Sequence, residues 1–261
     1  AGGLDAILLA RAMVDSGAAR IVIAGGAESY SRRPTRMRDG VPYEQARFAP
    51  VGWDDPEMAV AADRLAQEFG ISKNSQDAWA VDSHARARVC DGEIVPILGQ
   101  TSDPFARGLS MAVAGRAKVI SGMITAANTA VAADGAAFVL VVADELAREG
   151  LRIISGASVG GDAARPGLAP LAAMDRLGRD GVELAEIMEA YAVQGMICAR
   201  GFARVNVGVN VGGGALARGH AIGASGAVLA VRLFYELGAG QGMAAIAAAG
   251  GIGTAMLVAR I

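Results

Sequence analysis

Residues 219–226 constrain the chain most, because they read Gly-His-Ala-Ile-Gly-Ala-Ser-Gly and set one of only two histidines among glycines. The alternating run 205–211 before them predicts a strand, and the apolar run 227–237 after them predicts a helix. Glycine allows positive φ and lets a ligand approach the backbone closely. The pKa range of histidine suits an acid, a base or an oxyanion donor. The pattern therefore predicts either a catalytic histidine between a strand and a helix, or a histidine packed in a glycine-rich turn.

Composition limits the class of protein. The chain has 261 residues, of which 53% are hydrophobic, so it can bury the core of one or two domains. A net charge of −2 gives no electrostatic footprint for nucleic acid, and no uncharged apolar run reaches the roughly 18 residues of a membrane span. Two cysteines, Cys90 and Cys198, are too few for a disulfide scaffold or a zinc site. We therefore expect a cytoplasmic protein without a metal, and with neither a nucleic acid nor a membrane as partner.

Helix and strand patterns alternate along the chain, which indicates a layered α/β fold. The first helix has a helical period from Leu4 and ends at Gly17, and the next helix but one opens with a cap at Asn74 or Ser75. Residues 31–40 read as a polar loop. The further predicted helices are 57–69, 75–89, 144–148, 188–200 and 227–237. The predicted strands are 19–24 and 138–142, both buried and the first of them parallel, the edge strand 93–97, and 151–155, 182–187, 205–211, 243–248 and 254–261.

Three stretches resemble the thiolase family. Residues 210–226 resemble its C-terminal signature, roughly N-V-N-G-G-A-I-A-L-G-H-P-I-G-A-S-G. Residues 25–31 resemble G-G-M-E-S-M-S, and residues 128–137 resemble N-A-S-G-x-N-D-G-A-A. Nearly the whole chain follows thiolase order. The resemblance implies an α/β thiolase fold, with duplicated five-stranded mixed sheets in αβαβα layers and an inserted loop domain that holds coenzyme A.

The same resemblance suggests a division of the chain. Residues 1–30 and 133–149 would be the remainder of the N-terminal half, residues 31–132 the inserted coenzyme A-binding loop domain, and residues 150–261 the C-terminal half. Only two long strands outside the insert precede Leu140. We expect such an incomplete first half to expose apolar faces and an open parallel edge. The chain would then be part of something larger, completed by a second polypeptide or by a longer sequence.

The thiolase reaction transfers an acyl group between coenzyme A and a carbon nucleophile, with a cysteine as acyl carrier, a base and two oxyanion holes. The family's nucleophile lies in C-x-S-G-L, and residues 1–4 match the part that follows the cysteine. The resemblance thus places the nucleophile immediately before Ala1, or on a companion chain. There the dipole of the first helix would lower the pKa of the thiol.

Other catalytic positions match the family only in part. His220 falls on the G-H-P histidine, whose Nε2 donates to the thioester oxygen. Ala247 falls on the second cysteine, in C-x-G-G-G, so the usual proton-transfer agent is missing, although the backbone N–H of Ala249 remains a predicted oxyanion donor. Met188 falls on the N-E-A-F asparagine that holds a water, and Glu189 follows it. Tyr191 replaces phenylalanine and is either a helix residue with its hydroxyl at the rim or an acid that takes over the lost proton transfer.

The substrate is expected to be a coenzyme A thioester, with no covalently bound cofactor. The resemblance places it against the loop domain and the N-A-S-G segment, whose serine falls on Ala130. Arginines 32, 33, 36 and 38 would either attract its phosphates or form a solvated basic loop. The predicted substrate and coenzyme A contacts are Asn128, Thr129, Ala130, Met58, Gly223 and Ser225.

Three functions stay open at this point. The first is an acyl-CoA C-acyltransferase for thiolysis or Claisen condensation, or one chain of such an enzyme. The second is a thiolase-like enzyme with altered chemistry, such as a biosynthetic Claisen condensation or a retro-aldol cleavage of a coenzyme A thioester. The third is a catalytically degenerate subunit that stabilises an active partner, since a fold does not guarantee a function. A homo- or hetero-oligomer is expected in each case.

Overall fold

The computed structural model describes residues 1–202 and 207–261. The helices are α1 (Gly2–Asp15), α2 (Met58–Glu68), α3 (Lys73–Arg86), α4 (Met111–Ala114), α5 (Ala169–Leu177), α6 (Ala192–Arg200), α7 (Ala215–Arg218) and α8 (Ser225–Glu236). The strands are β1 (Ile21–Glu28), β2 (Arg36–Arg38), β3 (Val41–Tyr43), β4 (Val119–Ser121), β5 (Ile124–Thr125), β6 (Gly135–Val142), β7 (Leu151–Gly160), β8 (Val182–Ile187), β9 (Gly208–Val209), β10 (Gln241–Ala248) and β11 (Ile252–Arg260).

Two sheets form the main body. The larger has the strand order β7-β11-β10-β8-β9 in the described part of the chain. It is mixed, because β8 runs parallel to β10 and β9 whereas β11 is antiparallel to β10 and β7. The smaller sheet is the antiparallel pair of β1 and β6, with Ile21 opposite Val142 and Glu28 opposite Gly135. β2 with β3, and β4 with β5, form small hairpins apart from both.

Helices α1 and α8 lie between the two sheets, and α5 covers the opposite face of the larger one. The order of layers is thus β, α, β, α. The core between the sheets is built from α1, α8 and the inner faces of the strands, including Leu4, Ile7, Leu233, Ile246 and Met256. The second core lies between the larger sheet and α5, and includes Met174, Ile187, Met243, Ala255 and Leu257.

The segment predicted as an insert, residues 31–132, carries α2, α3 and α4 with the small hairpins. It rests on α6 and α7, because α2 contacts α6 while α3 contacts both. The junction is apolar: Leu65, Ile71 and Ile124 pack with Val193 and Ile197. The segment therefore stands beside the chain that leads into residues 219–226. The proposed domain boundaries stay a prediction.

The burial predicted for the first-half strands was wrong. β1 and β6 are antiparallel, and alternate side chains on one face are exposed: Ile23 by 73%, Leu140 by 61% and Phe138 by 57%. The inner face packs on α1 and α8, and nothing in the described residues covers the outer face. The expected exposed apolar face is therefore present, but the expected parallel edge is not. An unbroken apolar run cannot show that only one of its two faces is buried.

Other element predictions also needed correction. Residues 93–97 form turns and not an edge strand, because Pro96 lacks an N–H and the Glu93 side chain reaches Arg232. Ser72 caps α3, since its Oγ accepts from the Ser75 backbone N–H at 3.1 Å. The helix predicted at 188–200 begins at Ala192, and residues 144–146 form only a short 3₁₀ turn. Of the strand predicted at 205–211, residues 205 and 206 lie outside the described residues, and residues 208–209 are a strand.

The strand predicted at 182–187 was confirmed with the same bounds. The first helix was confirmed too, and Gly17 just beyond it has a φ of 75°. No helix in the described ranges combines the length and the apolar character needed to cross a membrane.

Candidate active site

The N-termini of α1 and α8 meet at two glycines. A Cβ on Gly3 would lie 2.7 Å from the backbone N of Ala227, and a Cβ on Gly226 would lie 2.6 Å from the backbone N of Leu4. Both distances are too short for any side chain, so the crossing requires glycine at both positions. The positive ends of two helix dipoles therefore point at the same place, which favours a negatively charged group there.

His220 lies at this meeting point, between α7 and α8. Its backbone N–H donates to the Val131 carbonyl at 2.7 Å, and its carbonyl accepts from the Ala133 N–H at 3.0 Å. Its Nδ1 lies 2.8 Å from Ser225 Oγ, whose hydroxyl donates to the Ala221 carbonyl at 2.9 Å. A hydroxyl has one proton to give, so Ser225 accepts from Nδ1–H. The neutral ring then presents a lone pair at Nε2.

Burial lowers the pKa of His220 to about 4. The imidazole is therefore neutral at pH 7. Donation from Nε2 to a substrate oxygen, the role predicted for His220, requires that Nε2 first take up a proton. The site favours that step only when a negative charge develops beside the ring.

An extended segment that begins at Asn128 joins the sequence-predicted residues. Thr129 pairs with Tyr191, and the Ala130 N–H donates to the Ala190 carbonyl at 3.0 Å. Ala132 pairs with His220. Three extended residues cover roughly 10 Å, so the attachments of Tyr191 and His220 to this segment are about that far apart. Thr129 Oγ1 is buried without a hydrogen-bond partner among the described residues.

The side chain of Asn128 is used internally. It is fully buried, its Oδ1 accepts from the Thr125 N–H at 2.7 Å, and its Nδ2 donates to the Met123 carbonyl at 3.1 Å and to Asp77 Oδ1 at 3.2 Å. These bonds fix the turn that leads into the segment. Its backbone is engaged too, because its N–H donates to the Thr125 carbonyl at 3.2 Å and its carbonyl accepts from the Ala192 N–H at 2.9 Å.

Two further predicted contacts lie at the rim of the site. Met58 is the first residue of α2, where its N–H donates to Gln45 Oε1 at 3.2 Å. The Gly223 N–H donates to Glu28 Oε2 at 3.0 Å. This bond ties residues 210–224, which we call the histidine loop, to the end of β1. The sequence analysis assigned no role to Glu28. Its position could have indicated one, because it is a carboxylate at the end of a strand otherwise made of apolar and glycine residues.

Tyr191 caps the N-terminus of α6, and its ring packs against the apolar cluster shared by α2 and α6. Burial raises the pKa of Tyr191 to about 12, and the negative charge of Glu57 adds to the rise. The phenol therefore stays protonated at neutral pH and can donate a hydrogen bond. No hydrogen bond joins it to His220 in the part of the chain that is described.

Ala249 lies in the turn after β10, ahead of Gly250 and Gly251, which both have positive φ. Met188 is 2% exposed and packs between the layers, and its N–H donates to the Ala245 carbonyl at 2.9 Å. It is a core side chain with no polar atom to hold a water. Ala247, on β10 opposite Gly253, brings no proton donor either.

Glu189 binds the insert to the histidine loop. Its carboxylate is fully buried and accepts from Trp79 Nε1, Ser83 Oγ and Asn210 Nδ2, each at 2.9 Å, and from the Leu216 N–H at 3.4 Å. Burial raises the pKa of Glu189, and these donors oppose the rise. The sequence showed that this glutamate was retained, but it did not show the four donors.

Two clefts carry arginines. One, of about 300 Å³, is lined by Arg107, Leu109, Val113, Arg116, Ala117, Lys118, Ala126 and Ala127, which bring three cations and no carboxylate. The other, of about 410 Å³, includes Arg33 and Arg36 from the predicted basic loop, but there Glu44 pairs with Arg33 at 2.7 Å. The first cleft is therefore the more electropositive, and its residues Ala126 and Ala127 lead directly to Thr129.

Neither cysteine fits a nucleophile. Cys198 is fully buried in α6, and burial raises the pKa of its thiol to about 12. Burial also raises the pKa of Cys90, whose Sγ lies 3.5 Å from a carboxylate oxygen of Glu236. A thiol with a raised pKa is a poor source of thiolate.

The chain matches the family models described as thiolase, N-terminal domain, over residues 1–145 and thiolase, C-terminal domain, over residues 147–260. It is 38% identical to a Bacillus subtilis protein named "Putative acetyl-CoA C-acetyltransferase YhfS", over 98% of this chain and 76% of that protein. It is 34% identical to the Staphylococcus aureus protein named "Putative acetyl-CoA C-acetyltransferase VraB", over 99% of this chain and 76% of that protein.

A solved structure agrees. The crystal structure of Acat5 thiolase from Ascaris suum in complex with coenzyme A superposes with a TM-score of 0.86 at 28% identity, over 99% of this chain and 77% of that one. This match confirms the expected α/β thiolase fold. Together with the two family models, which cover nearly all residues, it leaves one conclusion. The chain belongs to the thiolase family of acyltransferases.

Proposed function

We propose that this protein is an acyl-CoA C-acyltransferase, which acts by thiolysis or Claisen condensation of acyl-CoA thioesters, alone or as one chain of such an enzyme. One observation carries the proposal: a neutral, buried His220 lies where two helix N-termini meet, beside the extended segment that holds Thr129. The names of the two relatives, and the coenzyme A bound to the solved thiolase, support acetyl-CoA or a related thioester as substrate.

The first step would be activation of a thiol. Ala1 lies where α1 and α8 cross, since a Cβ on Gly226 would lie 3.0 Å from its carbonyl oxygen, so a cysteine joined to Ala1 would enter the site beside the loop of His220. Nε2 accepts the thiol proton, because Ser225 keeps the ring's own proton on Nδ1. The two helix N-termini stabilise the thiolate. A cysteine supplied by a companion chain would need to reach the same position.

Acyl transfer would follow with the proton conserved. The thiolate attacks the thioester carbon, the bond from that carbon to the coenzyme A sulfur breaks, and the acyl group is left on the cysteine. His220, now an imidazolium, donates from Nε2 to the developing oxyanion and finally returns its proton to the departing coenzyme A thiolate. The Ala249 N–H is our proposed second oxyanion donor. In condensation, a base then removes the α-proton of a second acyl-CoA, its α-carbon attacks the acyl carbon, and the bond from that carbon to the cysteine sulfur breaks, which returns the thiolate. Thiolysis is the reverse of these two steps, with coenzyme A as the final acyl acceptor.

The cleft with three cations is our proposed site for the coenzyme A phosphates. From Ala127 to Val131, which bonds the His220 backbone, the chain is four residues long, or roughly 13 Å when extended. A pantetheine arm can span such a length. The arm would then lie along the extended segment that includes Thr129.

Intact mass of the native-length protein, measured after incubation with acetyl-CoA and with longer acyl-CoAs, tests the proposal. We expect a covalent acyl adduct, a loss of at least a hundredfold in its rate of formation in His220→Ala, and unchanged labelling in the controls Cys90→Ser and Cys198→Ser. Labelling of Cys90 or Cys198, or no adduct with any acyl-CoA, would contradict the proposal. The second result would leave a degenerate subunit as the better description.

A thiolase-like enzyme with altered chemistry is the second candidate, because Ala247 cannot transfer a proton and Met188 cannot hold a water. In that case the acid is Tyr191, which its high pKa keeps protonated. Tyr191→Phe then loses roughly 10²-fold or more in turnover, the usual scale of general acid catalysis. Under the first proposal the same change costs only a few-fold.

The assembly and location remain predictions as well. We propose a homo- or hetero-oligomer, on the strength of the exposed apolar face of β1 and β6. A cytoplasmic location, expected from the small number of cysteines, is part of the same proposal.

A further inference from the structure

Arg218, which stands two residues before His220, makes more contacts than a solvated arginine would. Its side chain is 8% exposed. Nε donates to the Gly213 carbonyl at 2.9 Å, and Nη2 donates to the Gly212 carbonyl at 2.6 Å and to the Arg88 carbonyl. These bonds close residues 212–218 into a ring and join it to the insert. The signature that residues 210–226 resemble has leucine at this position.

The remaining nitrogen, Nη1, pairs with Asp103 Oδ2 at 2.6 Å, with Glu93 Oε1 4.0 Å away. Asp103 belongs to a segment of the insert without helix or strand. Burial raises the pKa of Asp103, and the Arg218 charge opposes the rise. A partly buried pair of this kind restricts geometry more than an exposed one does, because either partner alone would be left desolvated.

Two residues further on, Phe105 covers the glycine that separates Arg218 from His220. Gly219 has a φ of 92°, and a Cβ there would lie 2.8 Å from Phe105 Cδ2. Only glycine fits both the backbone conformation and the ring. Asp103 and Phe105 therefore hold the histidine loop from the insert side, while the backbone bonds of His220 to Val131 and Ala133 hold it from the segment beside Thr129.

The other end of the same short segment lies in the basic cleft. Arg107, two residues beyond Phe105, lines that cleft together with Arg116 and Lys118. Its backbone N–H donates to His84 Nδ1 at 3.4 Å, a buried imidazole whose pKa is lowered by burial and by the Arg107 charge. One stretch of five residues, 103–107, thus touches the histidine loop at its beginning and the cationic cleft at its end.

We infer that residues 103–107 are a positioning clasp, which couples occupancy of the cleft by the nucleotide phosphates of coenzyme A to the placement of His220, through Asp103 and Arg218. The inference rests on the proposed function in taking a coenzyme A thioester as the ligand and the cationic cleft as the site of its phosphates. Phosphates bound by Arg107 fix the end of the clasp. The fixed clasp then holds Arg218 and Gly219, so the remote half of the substrate contributes to the rate of the chemical step.

Substrate truncation tests this directly. Turnover of acetyl-CoA is compared with that of the N-acetylcysteamine thioester, which lacks the nucleotide, in the native-length enzyme and in the variants Asp103→Asn and Arg218→Leu. Arg218→Leu also loses the bonds to the backbone carbonyls, so circular dichroism and thermal unfolding first establish that it folds, whereas Asp103→Asn leaves those bonds in place. We expect kcat for acetyl-CoA to fall about tenfold or more in each variant, kcat for the truncated thioester to stay within about twofold, and the double variant to be no slower than Arg218→Leu alone.

A purely structural role of Asp103 and Arg218 would lower kcat for both substrates in parallel. That result, or an unchanged kcat for both substrates, would overturn the inference. Hydrogen exchange supplies a readout that does not depend on turnover. Coenzyme A should increase the protection of the amides of residues 215–223 in the wild-type protein and not in Asp103→Asn. Glu145→Gln, on the exposed turn after β6, is the control that should keep the wild-type response.

The two proposals fail in different ways. A wild-type protein that turns over neither thioester, yet shows coenzyme A-dependent protection through Asp103, would contradict acyl transfer and leave the clasp standing. Turnover of both thioesters, with the same ratio of the two kcat values in the variants as in the wild type, would support acyl transfer and contradict the clasp. Coenzyme A that neither binds nor protects would overturn the clasp.

Discussion

Two buried carboxyl groups three residues apart, at the end of β8, have opposite surroundings. Glu189 meets four hydrogen-bond donors from the insert and the histidine loop. Glu186 is 1% exposed, and its Oε1 has no partner among the described residues. Burial raises the pKa of Glu186 to about 8, and the charges of Arg232 and Arg218 only partly oppose that rise. Equal burial therefore produces a structural acceptor in one region and a protonated, neutral acid in the other.

The difference follows from which groups face each carboxyl. Around Glu189 the facing groups are neutral donors, which stabilise the charged form without charges of their own. Around Glu186 the cations Arg232 and Arg218 are engaged by Glu93, Glu236 and Asp103, while Glu189 and Glu236 add repulsion. A cation that already has a carboxylate partner stabilises a further carboxylate less. A buried carboxylate beside arginines that already have carboxylate partners is thus stabilised no more than one that accepts hydrogen bonds from a tryptophan and a serine.

The largest effect is expected when Glu189 is removed. Glu189→Ala leaves four donors without an acceptor, two of them buried side-chain groups, so we expect a loss of about 3–5 kcal/mol in the free energy of unfolding. Urea denaturation at pH 7 measures it. Glu183→Ala, on the same strand but exposed, is the matched control and should cost no more than about 0.5 kcal/mol. Equal losses in the two variants would show that the four bonds do not stabilise the fold.

Replacement of Glu186 should act in the opposite direction. Its pKa is higher in the folded protein, about 8, than the ordinary value of 4.5, so the folded state binds the extra proton between these limits. Wild-type stability should therefore decline as pH rises through that window, by up to about 1.4 kcal/mol per pH unit from this group. The neutral Glu186→Gln does not titrate and should be several kcal/mol more stable than wild type at pH 8.5.

The measurement is the difference in unfolding free energy between Glu186→Gln and wild type, by urea denaturation at pH 5.5, 7 and 8.5. Taking the difference removes the contributions of the other titrating groups. The two proteins should differ by only about 1.4 kcal/mol from this group at pH 5.5, one unit above its ordinary pKa, and separate further as pH rises towards 8. A difference that does not depend on pH would mean that Glu186 is ionised in the folded protein throughout.

The sequence predicts much of this region and not its key contrast. Periodicity, glycine spacing and the family resemblance predict the bounds of β8, the helix after the histidine loop and the candidate catalytic role of His220. The partners of the two glutamates do not, because Trp79 and Ser83 are more than a hundred residues away from Glu189 in the chain. The contact of Asp103 with Arg218 could not be predicted from the sequence for the same reason, since only tertiary packing brings the two residues together.

The misassigned strands teach a related point. Runs such as 138–142 are apolar at every position, so they predict a strand without showing that Phe138 and Leu140 face outward. The prediction at 93–97 failed because Glu93 is used by Arg232 and because proline breaks the ladder. Local pattern therefore gives the elements, and the environment of each polar or apolar face depends on elements remote in sequence.

The smallest expected effect removes one donor from Glu189. Trp79→Phe keeps an aromatic side chain but removes the Nε1–H that donates to Glu189 Oε1 at 2.9 Å together with part of the indole ring, so we expect a loss of about 1–2 kcal/mol at pH 7. The lost donor also lets the pKa of Glu189 rise further, which moves this carboxyl towards the behaviour of Glu186. Since a raised folded-state pKa lowers stability as pH increases, the loss should be smaller at pH 5.5 than at pH 8.5. Urea denaturation at both pH values, followed by circular dichroism, measures the two losses. A loss that shrinks with rising pH would show that the indole does not stabilise the charged form, and the contrast between the two carboxyls would then rest on Ser83, Asn210 and the backbone alone.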